Sequence, residues 1–184
     1  MSTRNILMTA AFVLPFALSA QERWSTRSGN VSFFSSTPME NIEAKNNKLS
    51  SVYDATTGEI VFVALIKSFE FEKALMQEHF NENYMESTTF PKASFKGKLE
   101  GLKAGDLRKA GSYPVTVVGE LTMHGVTKPV STAGTFTVAP TGQVSASCDF
   151  NAKPADYGIK IPGMVKDNIA EEIKIQVRID YQLN

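Results

Sequence analysis

From Ile173 to Leu183 the chain alternates without a break, with Ile173, Ile175, Val177, Ile179, Tyr181 and Leu183 set against Lys174, Gln176, Arg178, Asp180 and Gln182. Period two over this length predicts a β-strand with one buried and one wet face. The same alternation recurs, less strictly, upstream. Ala93, Phe95, Gly97 and Leu99 oppose Ser94, Lys96, Lys98 and Glu100. Tyr113, Val115, Val117, Gly119, Leu121 and Met123 oppose Pro114, Thr116, Val118, Glu120, Thr122 and His124. Val144, Ala146, Cys148 and Phe150 oppose Ser145, Ser147 and Asp149. Turn residues fall between the runs. Asp54 to Gly58 divides a strand over 42–53 from one over 59–67, and Gly101 to Gly111, His124 to Pro129 and Pro140 to Gly142 separate the later ones. About eight strands with short connections predict a mainly β, antiparallel meander.

Two segments depart from simple alternation. Ile60 to Ile66 is apolar on both faces, so one face needs a cover other than water, and the segment that follows is the natural candidate. That segment, 71–85, carries Met76, Phe80 and Tyr84 at helical spacing with Leu75 beside them, and it predicts one helix packed over the sheet or over a barrel mouth. A meander of this length hides its inner face by closing into a barrel or by stacking as a sandwich. Small inward residues (Ala64, Gly97, Gly119, Ala146) interleaved with Phe62, Phe95 and Phe136 leave volume, which is either a cavity or space taken by neighbouring side chains.

Residues 1–20 read differently. Arg4, an apolar stretch from Ile6 to Leu18, and Ser19-Ala20 predict a signal peptide with Gln21 as the first mature residue. The stretch is shorter than the roughly 20 apolar residues of a comfortable membrane span, and no Cys follows the cleavage site to carry a lipid. Residues 21–184 then form a single domain that is exported, periplasmic or secreted, without a stable membrane anchor. Without Arg4 the chain carries 18 basic and 19 acidic residues and no Lys/Arg run, which offers no footprint for nucleic acid. Cys148 is the one cysteine, so no internal disulfide staples the fold.

The residues supply little for catalysis. His79 and His124 are about 45 positions apart, with no metal-ligand spacing around either. Cys148 falls on the apolar face of its strand, where a buried, inert thiol is expected. No nucleophile elbow, phosphate loop or dinucleotide fingerprint is present. His124-Gly125, followed by Thr127 and Lys128-Pro129, reads as a hairpin connection in which Gly125 adopts positive φ. The expectation is a protein with no catalytic residues, no metal and no cofactor.

The run Gly119-x-Leu121-Thr122-x-His124-Gly125-Val126-Thr127-Lys128-Pro129-Val130 resembles the signature of the YceI-like, polyisoprenoid-binding family. Phe90-Pro91-x-Ala93-x-Phe95 and Asp156-Tyr157-Gly158-Ile159 match that family's other stretches in the same order. The resemblance spans essentially the whole mature chain. It implies an eight-stranded antiparallel lipocalin-like barrel, an isoprenoid lipid as partner and the possibility of a homodimer. The chain departs from the pattern at Gln77-Glu78-His79-Phe80, where His79 matches but the flanking charges differ. It departs again at Lys153-Pro154-Ala155, where the family's usual Arg is missing.

Together these readings predict an exported lipid-binding protein that encloses a polyisoprenoid or isoprenoid quinone-like ligand for carriage or storage. The expected lining is Phe62, Ala64, Phe95, Leu99, Val117, Leu121, Phe136, Val177 and Ile179, with His79 and Tyr84 at a polar end. A register slip of one residue would exchange that set for its neighbours. The alternative is a non-enzymatic structural or stress-related interaction protein whose barrel is filled.

Overall fold

The computed structural model describes residues 22–103 and 105–183, so the signal peptide expected over 1–20 lies outside the described residues. Nine strands follow in order: β1 (Arg23–Ser36), β2 (Asn41–Asp54), β3 (Glu59–Leu65), β4 (Glu70–Phe71), β5 (Lys92–Glu100), β6 (Gly111–Met123), β7 (Val126–Val138), β8 (Val144–Ala152) and β9 (Ile173–Leu183). Apart from the two-residue β4, which pairs with β2, the strands run antiparallel in the order β1-β9-β8-β7-β6-β5-β3-β2. A further pairing of β1 with β2 closes them into an eight-stranded barrel. Closure removes the two free edges that an open sheet would expose.

The strands form because their alternation places apolar side chains on one side only. Val115, Val117 and Leu121 of β6, Phe95 and Leu99 of β5, and Ile179 and Tyr181 of β9 are all buried. β1 is the exception to regular alternation. Its register against β2 shifts between Thr26 and Gly29 and again between Gly29 and Val31, and such irregularities break period two within a strand. At the β6–β7 hairpin, His124 and Gly125 both take positive φ (51° and 75°), the requirement of a tight two-residue turn.

Among the described residues there is one α-helix, α1 (Ala74–His79), which runs directly into a wider π-type turn over Phe80–Tyr84. It does not cover the outer face of β3 as the two-sided apolar run suggests. Val61 and Leu65 on that outer face stay 36% and 51% exposed. The helical segment instead turns its apolar stripe onto the barrel mouth, where Phe80 meets Phe33, Phe69 and Phe71 with ring centroids 5.0–5.5 Å apart. Burying Phe80 among three rings outweighs shielding two aliphatic side chains that a protein surface readily tolerates.

Gly97 and Gly119 sit opposite one another across β5 and β6, and the ring of Phe95 lies over both. A Cβ at either position would come within 2.7 Å of that ring. The volume these glycines release is therefore occupied by Phe95, which tilts against Phe62 at 5.9 Å.

The ladder is not continuous around the barrel. β3 pairs with β2 only from Ile60 to Val63. Beyond that point the fully buried Asn46 fills the fork, its Nδ2 donating to Leu65 O at 3.0 Å while its Oδ1 accepts from Lys48 N at 2.8 Å. A second fork divides β7 from β8. Their register runs only from Gly134↔Cys148 to Val138↔Val144, although both strands continue past it. Here Thr132 Oγ1 donates to Asp149 O at 2.9 Å, a side-chain bond where the next ladder bonds would stand. On the outer surface Arg178 Nη1 donates to Asp149 Oδ1 at 2.6 Å and Gln176 Nε2 to Oδ2 at 3.0 Å.

Two outcomes are expected. Gly119→Ala should destabilise the barrel by about 1–3 kcal/mol through overpacking against Phe95 and the β5 backbone, read as a lower urea midpoint; an unchanged midpoint would mean the close approach is not there. The hydrogen bond from Arg178 holds the Asp149 carboxyl down at about 2. A carboxyl whose pKa is lower when folded stabilises the fold above its unfolded value, and the gain is lost as pH falls from about 4 towards 2. The side chain is 37% exposed, so screening limits the effect to under about 1 kcal/mol. Asp149→Asn should accordingly be slightly less stable at neutral pH and converge with the parent near pH 2 in acid titrations followed by circular dichroism.

Candidate functional site

The interior divides into two halves. At the end formed by the β2–β3 and β7–β8 turns, side chains fill the barrel. Phe136 stacks on Tyr181 at 5.8 Å and tilts against Tyr53 at 5.5 Å, with Trp24, Leu107, Val138 and Val144 buried around them. Ser51 Oγ and Tyr181 Oη share a buried hydrogen bond of 2.7 Å. Burial raises the Tyr181 phenol above its ordinary value and pushes that of Tyr53 up to about 12. Both rings therefore stay neutral and serve as a floor.

Above this floor lies a cavity of about 330 Å³. Val31 and Phe33 of β1, Phe62 and Ala64 of β3, Ala93 and Phe95 of β5, and Val117 and Leu121 of β6 form one side of its wall. Val130 of β7, Cys148 and Phe150 of β8, and Ile175 and Val177 of β9 form the other. Met76, His79, Phe80 and Tyr84 from the helical segment roof it, together with Ile159, Ile161 and Val165 from the β8–β9 connection. Among the described residues no lysine or arginine reaches the lining; its charged or titratable members are Glu40, His79, Tyr84 and Cys148. Burial pushes the Cys148 thiol up to about 11, which disfavours the thiolate.

Three ties hold the roof. Glu40 Oε1 lies 3.3 Å from Lys73 Nζ, at the start of α1, and its Oε2 accepts from Asn168 Nδ2 at 3.1 Å. Ser35 Oγ accepts from Ala170 N at 2.8 Å. His124 joins three segments: its Nδ1 is 3.1 Å from Tyr157 O, its Nε2 is 3.3 Å from Glu86 Oε1, and its ring meets that of Phe90 edge-on at 4.6 Å. Glu86, like His124, has positive φ (43°), so two backbone positions in an uncommon region face one another across this tie. The histidine acts as a fastener between the hairpin and the roof. Among the described residues, no three His, Cys, Asp or Glu gather in a way that could hold a metal ion.

Of the residues expected to line the site, Phe62, Ala64, Phe95, Val117, Leu121 and Val177 are on the cavity wall, and His79 and Tyr84 are in its roof. Leu99, Phe136 and Ile179 point inwards but lie in the packed half, away from the cavity. Alternation assigns a residue to a face, whereas its height along the barrel depends on which end the large aromatic side chains fill. Phe33, Phe69 and Phe71, and Ile159, Ile161 and Val165 of the β8–β9 connection, line the cavity without a sequence pattern that points to them. The connection has no period to read, and β1 hides its parity behind register shifts. Lys153, standing where the resemblance anticipates an arginine, pairs with Glu172 at 3.3 Å and is not part of the lining.

A family model described as "YceI-like domain" matches residues 21–181. Among solved structures, a polyisoprenoid binding domain from Saccharophagus degradans, implicated in plant cell wall breakdown, superposes with a TM-score of 0.78 at 16% identity, covering 90% of this chain and 100% of that one. BcnA of Burkholderia cenocepacia superposes with a TM-score of 0.68 at 17% identity over 84% of this chain and 96% of that one. The YCEI protein of Campylobacter jejuni gives 0.52 at 13% identity over 100% and 99%. At these identities the likeness is one of fold. No curated protein matches the chain in sequence.

If the ring cluster holds the roof, Phe80→Ala should cost about 2 kcal/mol and speed amide exchange across 74–84 while the barrel strands stay protected. Exchange in that segment equal to the parent's would show that the cluster does not hold it.

Proposed function

The chain belongs to the YceI-like domain family, and from that premise we propose that it is a non-enzymatic binding protein that encloses an isoprenoid lipid or isoprenoid quinone-like molecule. The observation that carries the reading is the cavity, whose lining is mostly aliphatic and aromatic and, among the described residues, includes no lysine or arginine. Removing apolar surface from water gains about 25 cal/mol per Å², before the costs of immobilising the ligand are taken off. A long, thin, apolar chain draws the most from such a wall.

The polar groups near the roof refine the choice. A phosphate or pyrophosphate end would meet Glu40 and find no lysine or arginine in the lining to neutralise it. Leaving such a charge unpaired in an apolar site is costly, so the reading favours an uncharged polar end such as a quinone or an alcohol. The titratable side chains of the lining do not form a nucleophile–base pair, and Cys148 is held neutral by burial, which supports binding over catalysis. The filled-barrel alternative suits the aromatic floor but not the half above it. Export through residues 1–20 and delivery to the periplasm or the exterior remain part of this proposal.

Lipid extraction and mass spectrometry of protein purified from its native compartment should return an isoprenoid lipid. Ala93→Trp, which places a large ring in the cavity, should weaken polyprenol binding by at least about tenfold with the fold retained, a loss of about 1.4 kcal/mol. A protein that is reproducibly empty, and that takes up neither quinones nor polyprenols in vitro, would sink the reading.

A further inference from the structure

At the fork between β7 and β8 the wall of the cavity carries no ladder beyond Gly134↔Cys148. An interior cavity and a solvent-open groove on the outer surface both use Val130, Thr132 and Phe150, so a single layer of residues separates them. We propose that this fork is a lateral passage, at which the apolar chain of the ligand crosses the barrel wall between Val130 and Phe150 on its way into and out of the cavity, its small uncharged polar end moving through the outer groove past Ser131 and Asn151. The inference rests on the lipid-binding reading above.

The fork is bounded on every side, which makes it a window and not a frayed edge. Below it, the ladder resumes at Gly134↔Cys148. Above it, the His124–Tyr157 contact fastens the β6–β7 hairpin to the turn that leaves β8. Its two sides are held from behind, since β7 stays paired with β6 from Met123↔Val126 to Gly111↔Val138, and β8 with β9 out to Ala152↔Ile173. Pro129 on one flank and Pro154 just past the other have no N–H to offer, so the strands cannot zip together at these positions.

The chemistry of the two sides suits an amphipathic ligand. Val130, Phe150 and Ala152 face the cavity, whereas Ser131, Asp149 and Asn151 line or border the groove outside. Asp149 is already engaged by Arg178, Gln176 and Lys174, and Asn151 donates to Glu172 at 3.3 Å. The competing route is end-on through the roof. Opening it would separate Phe80 from three rings and break the ties of Glu40 and His124. Opening the fork asks only that Thr132 release Asp149 O, because no ladder bond stands there to be broken.

Were the ladder to continue in register from Gly134↔Cys148, Ser131 would face Asn151 on the outer surface. The test joins those positions in the full chain as Ser131→Cys/Asn151→Cys, bridged by a short bis-maleimide and confirmed by intact mass. Cys148 is half-buried in the cavity wall, so the intact mass must also show one bridge and no further adduct. Uptake and release of dansyl-labelled geranylgeraniol are followed by stopped-flow fluorescence, with thermal unfolding recorded alongside. Both rates should fall by at least about tenfold in the bridged protein relative to the unbridged one, with the equilibrium affinity nearly unchanged, because a passage slows traffic equally in both directions. A second variant, Ser131→Cys carrying one bulky maleimide in the groove, should slow exchange in the same way. Rates within about twofold of the unbridged protein in both variants would overturn the passage and assign the traffic to the roof. Unbridged protein that takes up no probe at all would bring down the lipid-binding reading itself, an outcome distinct from unimpeded exchange.

Discussion

With β1 paired to β9 on one side and to β2 on the other, the eight long strands close into a ring, and each of them must place one of its two faces inside. Nothing else in the molecule is independent of that closure. It forces alternate side chains of eight strands into a single interior whose width is set by strand number and tilt, and that interior is either filled or left hollow. Here one half is filled. Tyr53, Phe136 and Tyr181 spread across it, and the Ser51–Tyr181 hydrogen bond lets a phenol lie there without an unsatisfied hydroxyl. In the other half the large inward residues stand against the wall, Phe95 flat over two glycines, and the centre stays open. A cavity in this barrel is therefore a consequence of where the rings lie, as much as of how many small residues face inwards.

The sequence made the faces of the strands legible and left their depth obscure. Ile179 and Val177 share one face of β9, yet Ile179 packs against the floor while Val177 lines the cavity. Phe136 and Val130 are separated in the same way on β7. Periodicity is blind to height because it repeats identically along the strand. β1 was the least readable strand, since two register shifts within a few residues turn its inward set from one parity to the other. The apolar outer face of β3 misled for another reason. Val61 and Leu65 suggested a covering helix, but the helix is bound by the Phe33, Phe69 and Phe71 cluster, a contact among residues distant in sequence that no local pattern displays.

The hairpin motif around His124 shows how a catalytic-looking residue can be wholly occupied with structure. The left-handed backbone at His124 and Gly125 makes the tight turn, and it also directs the imidazole back towards Tyr157 and Glu86. The ring's two nitrogens thereby face two different loops, and the ring is not among the residues lining the cavity. A side chain near the site, with the right chemistry, thus contributes by fixing the distance between roof and wall.

The two forks in the barrel put a sharper limit on how the wall can open. Both interrupt the ladder, and a buried backbone group without a partner is expensive, so each interruption requires a substitute. At the β2–β3 fork the substitute is a fully buried amide that engages Leu65 and Lys48 together, with β4 added beyond it and the aromatic cluster behind. At the β7–β8 fork it is one hydroxyl, Thr132, at the edge of a groove that water reaches. Separating the strands at the second fork breaks one side-chain hydrogen bond, whereas at the first it would uncover the buried Asn46 amide and both of its bonds. Around the circumference the two interruptions of the ladder therefore differ in kind, one closed by a buried amide and a further strand, the other by a single hydroxyl beside an open groove.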